Sequence, residues 1–188
     1  MANRFAVLIL TLLLNACATV LDKPADLYQL AGMQSLQQQK QWYFEGRLAM
    51  ADEKDSISAS ISWRHTLARD DIELTGPLAQ GRMTIAVVED RVVVDDGDKR
   101  QEFNGSVDEV LAEQLSVDVP VNALRYWVLG ATQPDSQFIE QGDGFLQSGW
   151  RVSYKEMQRV NAVLLPRKIN AEKDKTKIKL VVDQWDLS

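Results

Sequence analysis

Ser56-Ile57-Ser58-Ala59-Ser60-Ile61-Ser62-Trp63 alternates without a break, a hydroxyl at every even position and an apolar side chain at every odd one. Successive side chains of an extended chain point to opposite faces, so this stretch is a strand with one wet face and one apolar face. Such strands belong to an antiparallel sheet packed on one side only. The same period runs outward in both directions. Upstream, Trp42, Phe44, Leu48 and Met50 share one parity, and Tyr43, Glu45 and Arg47 share the other. Downstream come Ile72 and Leu74, then Met83, Ile85 and Val87, then the run Val92 to Val94. Short amphipathic strands separated by turns predict an antiparallel meander. Asp95-Asp96-Gly97-Asp98 reads as a hairpin turn, because the ligand spacing of an EF-hand is absent.

The period changes in the middle of the chain. Val107 to Leu115 predicts a helix, with Ser106 as N-cap and Glu109 closing a capping box. Pro120 to Leu129 predicts a second short helix, with Leu124, Trp127 and Val128 on one face and Gly130 as its stop. Strands resume at Gln137–Gln141, Trp150–Tyr154, Ala162–Ile169 and Lys177–Trp185. Ahead of the first strand, Leu27, Leu30 and Met33 or Leu36 recur at helical spacing between Ala25 and Gln41.

The N-terminus carries an export signal. Arg4 supplies a positive start, and Phe5 to Leu14 form an apolar run interrupted only by Thr11. Those ten residues rise about 1.5 Å each and fall well short of a hydrocarbon core about 30 Å thick. Leu14-Asn15-Ala16-Cys17 then has the build of a bacterial lipobox, and Cys17 is the only cysteine. Cleavage before Cys17 leaves a lipid-anchored chain: residues 1–16 are the signal peptide, 17–25 a lipidated tether and 26–188 a single domain. A conventional secreted protein with a free thiol is the alternative. Ala18 follows the cysteine where aspartate favours inner-membrane retention, which points to the outer membrane.

Composition removes several function classes. The formal charge is −6; Arg4 leaves with the signal and no acid does, so the mature chain carries −7. With a pI near 4.9, neither nucleic acid nor electrostatic adhesion to anionic lipid fits. His65 is the only histidine, which rules out histidine-pair metal sites and the commonest general base. It is expected as a solvated residue at a strand end, as are Asp70 and Asp71 at the next strand start. There is no phosphate-cradling glycine loop and no nucleophile elbow, so the expectation is a non-enzyme without a cofactor apart from the lipid on Cys17. Five tryptophans, Trp42, Trp63, Trp127, Trp150 and Trp185, can fill a core one by one. Together with a broad sheet that two or three short helices cannot cover, they also suit a concave apolar surface for an acyl chain.

Several segments, in order, resemble the outer-membrane lipoprotein receptor family LolB. They are Phe44-Glu45-Gly46-Arg47-Leu48-Ala49, Ile61-Ser62-Trp63, Leu74-Thr75-Gly76-Pro77-Leu78, Pro120 to Gly130, Trp150-Arg151-Val152-Ser153-Tyr154, Leu165-Pro166-Arg167-Lys168-Ile169, and Ile178-Lys179-Leu180 with Trp185. The Pro120–Gly130 segment and the Gly-Pro-Leu loop are the most specific, and the resemblance covers nearly all of the mature chain. It implies a mainly β fold, an incomplete antiparallel half-barrel of about eleven strands with a small helical lid over an apolar cavity. It also implies a lipid-anchored monomer on the periplasmic face of the outer membrane. Such a protein takes triacylated lipoprotein cargo from a LolA-like periplasmic carrier and inserts it into the outer-membrane lipid.

The resemblance also assigns residues. Pro77 and Leu78 would form the membrane-insertion loop, although Ala79 stands where family members often have glycine. Strand parity places Phe44, Leu48, Ile57, Ile61, Trp63, Leu74, Met83 and Ile85 toward the cavity. Trp127 would reach it from the lid, and Trp150, Ile178 and Leu180 from the returning strands. A protein-binding envelope scaffold built on a related half-barrel is the competing reading, and a hydrolase a more distant one.

Overall fold

A computed structural model of the chain describes residues 27–79, 81–115 and 117–187. The signal segment, Cys17 and the tether 17–25 lie outside the described residues. Eleven strands form one antiparallel sheet: β1 (Trp42–Ala51), β2 (Ser56–Thr66), β3 (Arg69–Thr75), β4 (Arg82–Val88), β5 (Arg91–Asp95), β6 (Arg100–Asn104), β7 (Phe138–Gln141), β8 (Gly144–Gln147), β9 (Trp150–Val160), β10 (Val163–Lys173) and β11 (Thr176–Asp186). Their spatial order is β6-β5-β4-β3-β2-β1-β11-β10-β9-β8-β7. Two meanders, one from each half of the chain, are thus stitched together by the β1–β11 pair, and β6 and β7 remain as edges. The sheet is open, as expected.

Helix α1 (Leu30–Met33) runs into a 3₁₀ turn at Gln34–Gln38. Helices α2 (Val107–Leu115) and α3 (Val121–Trp127) fill the link between the meanders. The helical segment expected from Ala25 to Gln41 is therefore much shorter. Gly130 does end α3: it sits at φ +88°, and its N–H donates to Trp127 O. Strands β6 and β8 escape the sequence pattern. β6 is an edge strand (Arg-Gln-Glu-Phe-Asn) with almost no buried residue, and β8 is only four residues long.

Two irregularities curve the sheet. The β1–β11 register shifts at Glu45/Gly46, and a Cβ on Gly46 would sit 2.3 Å from the Val181 carbonyl oxygen. Only glycine permits that approach. In β10 the register slips on either side of Lys168, next to Pro166, which cannot donate to the ladder.

Antiparallel pairing sorts the turns between two ends of the sheet. The Leu78 loop, joining β3 to β4, lies at the end that also holds the β1–β2, β5–β6 and β10–β11 turns. The β2–β3 turn and the start of β1 occupy the opposite end. There Trp42, Phe44, Trp63 and Trp185 pack together, with ring centroids 5.2 to 6.1 Å apart.

Candidate functional site: an apolar cavity under two helices

The concave face of the sheet turns apolar residues toward α2 and α3. Between them lies a cavity of about 40 Å³. Its floor is Leu48 and Met50 of β1, Ile61 and Trp63 of β2, Ile72 and Leu74 of β3, Ile85 of β4, Ile169 and Ala171 of β10, and Ile178 and Leu180 of β11. The roof is Leu111 and Leu115 of α2, Val119, Val121 and Leu124 of α3 and its approach, and Val128. Every lining residue is apolar, so the space favours hydrocarbon over water.

Seven of the residues expected by parity and position line this cavity: Leu48, Ile61, Trp63, Leu74, Ile85, Ile178 and Leu180. Ile57 and Met83 lie next door, in a more open hollow of about 360 Å³ that shares Leu74 and Leu115 with the cavity. The expectation fails for three. Phe44 belongs to the aromatic cluster at the far end of the sheet. Trp127 and Trp150 face each other at 6.1 Å in a second cluster with Phe145 and Tyr154. All three are buried packing residues, the ordinary fate of a large ring. Met50 and Ile72 share parity with their named neighbours and were legible. The helix faces supplying Leu111, Leu115 and Leu124 could be read from spacing, but not which sheet residues they would cover.

The roof is pinned through α3. Trp127 Nε1 donates to Gln147 Oε1 at 2.9 Å, and Tyr154 Oη donates to the Trp127 carbonyl at 2.8 Å. Gln147 is fully buried and makes three more bonds: its Oε1 accepts the Gln133 N–H, and its amide donates to the Gln133 and Ser136 carbonyls. Gly130 and Thr132, just after α3, receive bonds from Tyr28, Gln34 and Gln37 of the N-terminal segment. Tyr28 stacks on Tyr154 with centroids 4.1 Å apart. Burial raises both phenol pKa values, so both hydroxyls stay protonated as donors.

At its middle, α3 is tied to the sheet by charge. Arg125 Nη2 lies 2.7 Å from Asp70 Oδ2, while Trp63 Nε1 and His65 Nδ1 lie 2.9 and 2.8 Å from Asp70 Oδ1. This corrects two expectations. Asp70 is buried on the concave face, and His65 is largely covered, stacked on Trp42. Asp71, one residue on, faces outward and pairs with Arg69. The strand parity was readable; the cation that makes an inward Asp70 tolerable came from a helix fifty-five positions away in sequence.

Pro77–Ala79 form a tight turn kinked at Leu78, whose side chain projects from it, 92% exposed. Its backbone is left-handed, φ +58° and ψ +28°, a region that costs a branched side chain about 1–2 kcal/mol. The turn therefore holds a leucine in water at the expense of both solvation and backbone energy.

The sequence model of the family described as "Outer membrane lipoprotein LolB" matches residues 40–185. Among curated relatives, the outer-membrane lipoprotein LolB of Alkalilimnicola ehrlichii is 28% identical, over 94% of this chain and 93% of its own. That of Nitrosococcus oceani is 29% identical over 98% of each. Among solved structures, a LolA superfamily protein from Nitrosomonas europaea superposes with a TM-score of 0.51 at 10% identity, over 80% of this chain and 87% of its own. A DUF1329 family protein from Desulfovibrio piger gives 0.55 at 7% identity, over 85% and 90%. These two likenesses speak for the fold alone; with the sequence match over most of its length, the chain belongs to the outer membrane lipoprotein LolB family.

Proposed function

We propose that this protein accepts acylated lipoproteins from a LolA-like periplasmic carrier and inserts them into the inner leaflet of the outer membrane. The lipid on Cys17 would hold it there. The observation that carries the reading is the wholly apolar cavity beneath α2 and α3, set beside a loop that projects Leu78. Burying hydrocarbon is worth about 0.8 kcal/mol per methylene, so three acyl chains face a gross barrier on the order of 30 kcal/mol to crossing water. Cargo must pass from one apolar shelter to another. The cavity has the right chemistry, and no nucleotide is needed for a step that runs between two such shelters and ends in a bilayer.

Volume adds a condition. A cavity of about 40 Å³ is far smaller than the roughly 150 Å³ that accommodates a benzene ring. Three acyl chains do not fit that space, so loading requires the roof to move. Leu48, Ile61, Leu74, Ile85, Ile178 and Leu180 would then contact the chains.

The test mixes Cys17→Ala protein with carrier loaded with a radiolabelled lipoprotein. Movement of label to the Cys17→Ala protein supports the receptor. Retention of label on the carrier, with the acceptor well folded, overturns it in favour of a scaffold that binds protein alone. The same form should deliver cargo to liposomes with poorer membrane selectivity, because the anchor supplies address and the cavity supplies binding.

A further inference from the structure

The two roof helices are held in very different ways. Helix α3 is fastened along its length by Arg125 to Asp70, Trp127 to Gln147 and Tyr154 to the Trp127 carbonyl, all buried or nearly so. Among the described residues, α2 makes polar side-chain contacts only through Asp108, and these go to Val121 and Asn122 at the start of α3. Among the described residues no polar side-chain contact runs from α2 to the sheet; Val107, Val110 and Leu111 are its buried residues, and the Gly105 N–H just before it donates to the Asp90 carbonyl at the β4–β5 turn. Gly105, at φ +139° with open space around it, precedes α2. The first turn of α2 is therefore fixed to α3, and its last turn is the part free to lift.

That last turn covers a specific place. Gln114 and Leu115 border the open hollow, whose apolar walls are Ile57, Ala59, Leu74 and Met83, with Gly76 and Gly81 flanking the Leu78 turn and Ser58, Arg82 and Asp96 at its polar margin. Leu115 and Leu74 belong to both the hollow and the inner cavity. Raising Leu115 would join the two into one channel, apolar along Leu74, Ile57 and Met83 and polar at its margin of Arg82 and Asp96, that opens beside the Leu78 turn.

We propose that α3 is a fixed post, that the C-terminal turn of α2 is the gate, and that the acyl chain passes beneath Leu115 through the Ile57–Met83 hollow to the Leu78 loop. This rests on the acyl-transfer reading above. Polar anchoring makes the difference: separating α3 would expose Asp70 and Gln147 partners at once, whereas lifting the end of α2 breaks only apolar contacts that a hydrocarbon ligand replaces.

The experiment uses spin labels in the Cys17→Ala background, where no native thiol competes. One pair is Glu113→Cys with Ser60→Cys, reporting the end of α2 against the sheet; Ser60 is exposed and lies outside the hollow. The other is Tyr126→Cys with Ser60→Cys, reporting α3. A synthetic triacylated lipopeptide is added and its co-elution with the protein is measured. The expected result is an α2–sheet distance longer by roughly half a helix diameter, about 5 Å, with the α3–sheet distance unchanged. Joint movement of both helices, or bound lipopeptide with neither moving, overturns the gate while leaving acyl binding intact. Absence of lipopeptide binding overturns both. As a second arm, Leu115→Trp should slow loading without lowering the thermal midpoint; loading at the wild-type rate would exclude this route.

Discussion

Arg125 on α3 and Asp70 on β3 face each other across 2.7 Å, although the only exposed part of the pair is a fraction of the arginine. A buried pair contributes little relative to an apolar replacement, but breaking it is costly because one charge stays behind. Arg125→Met leaves Asp70 with its Trp63 and His65 contacts and without the guanidinium. The expected loss is about 3 kcal/mol, the lower end of the range for a broken buried pair. Urea unfolding of Arg125→Met, Asp70→Asn and the double variant checks it. The double variant should be more stable than the sum of the single losses predicts; strict additivity would mean that the pair is not coupled.

Asp108 gives a pH dependence. Desolvation raises its pKa, only partly offset by the Asn122 and Val121 N–H groups that its carboxylate accepts. A carboxyl with a raised folded pKa favours folding below its unfolded pKa, and that contribution is lost as pH rises through the folded value. Asp108→Asn keeps an oxygen acceptor and removes the charge. It should therefore be more stable than wild type at neutral pH, with the difference shrinking as the pH is lowered below the carboxylate range. Thermal midpoints of both proteins across that pH series decide it; a constant difference would mean that Asp108 is not the titrating group.

Gln147 tests the post itself. It is fully buried and satisfies four partners at the junction of α3 and β8. Gln147→Leu has nearly the same bulk but strands the Trp127 and Gln133 N–H groups and two carbonyls. With each stranded buried group costing about 1–3 kcal/mol, the expected loss is at least about 3 kcal/mol after partial relaxation. Denaturant midpoints measure the loss, and hydrogen exchange around residues 127–136 should rise alongside it.

The sheet was legible because its strands carry a period of two: Ser56 to Trp63 gives one face, and the observed pairing of Ile61 with Leu74 and of Leu74 with Met83 continues it. β6 was not, because an edge strand with Phe103 as its one residue against the core has no alternation to display. The site was half legible for a related reason. Parity says which side of the sheet a residue occupies, and Leu48, Ile61 and Leu180 followed it to the cavity. It cannot say where along the strand the cavity ends. Phe44 has the right parity, yet sits past that limit beneath Trp42 and Trp185. The inward Asp70 defied the polar-out rule because its compensation is tertiary, and a local pattern holds no record of Arg125.

Leu78 is the residue where stability and the proposed function should part. Its left-handed backbone suits asparagine better than leucine, and its 92% exposure means that no packing is lost on replacement. Leu78→Asn should therefore gain up to about 1 kcal/mol in denaturant unfolding. Leu78→Glu should fold normally as well. If Leu78 contacts the bilayer during delivery, both variants accept cargo from the carrier at the wild-type rate and release it into liposomes more slowly, with the charged variant slower, because a carboxylate must be desolvated to enter the interface. Normal release by Leu78→Glu would remove the membrane role and leave the strained turn without a function. Impaired loading would move Leu78 to the carrier-facing step instead. A leucine kept in water, in a conformation that leucine disfavours, is the pattern expected when a site is held ready for a partner and not for the fold.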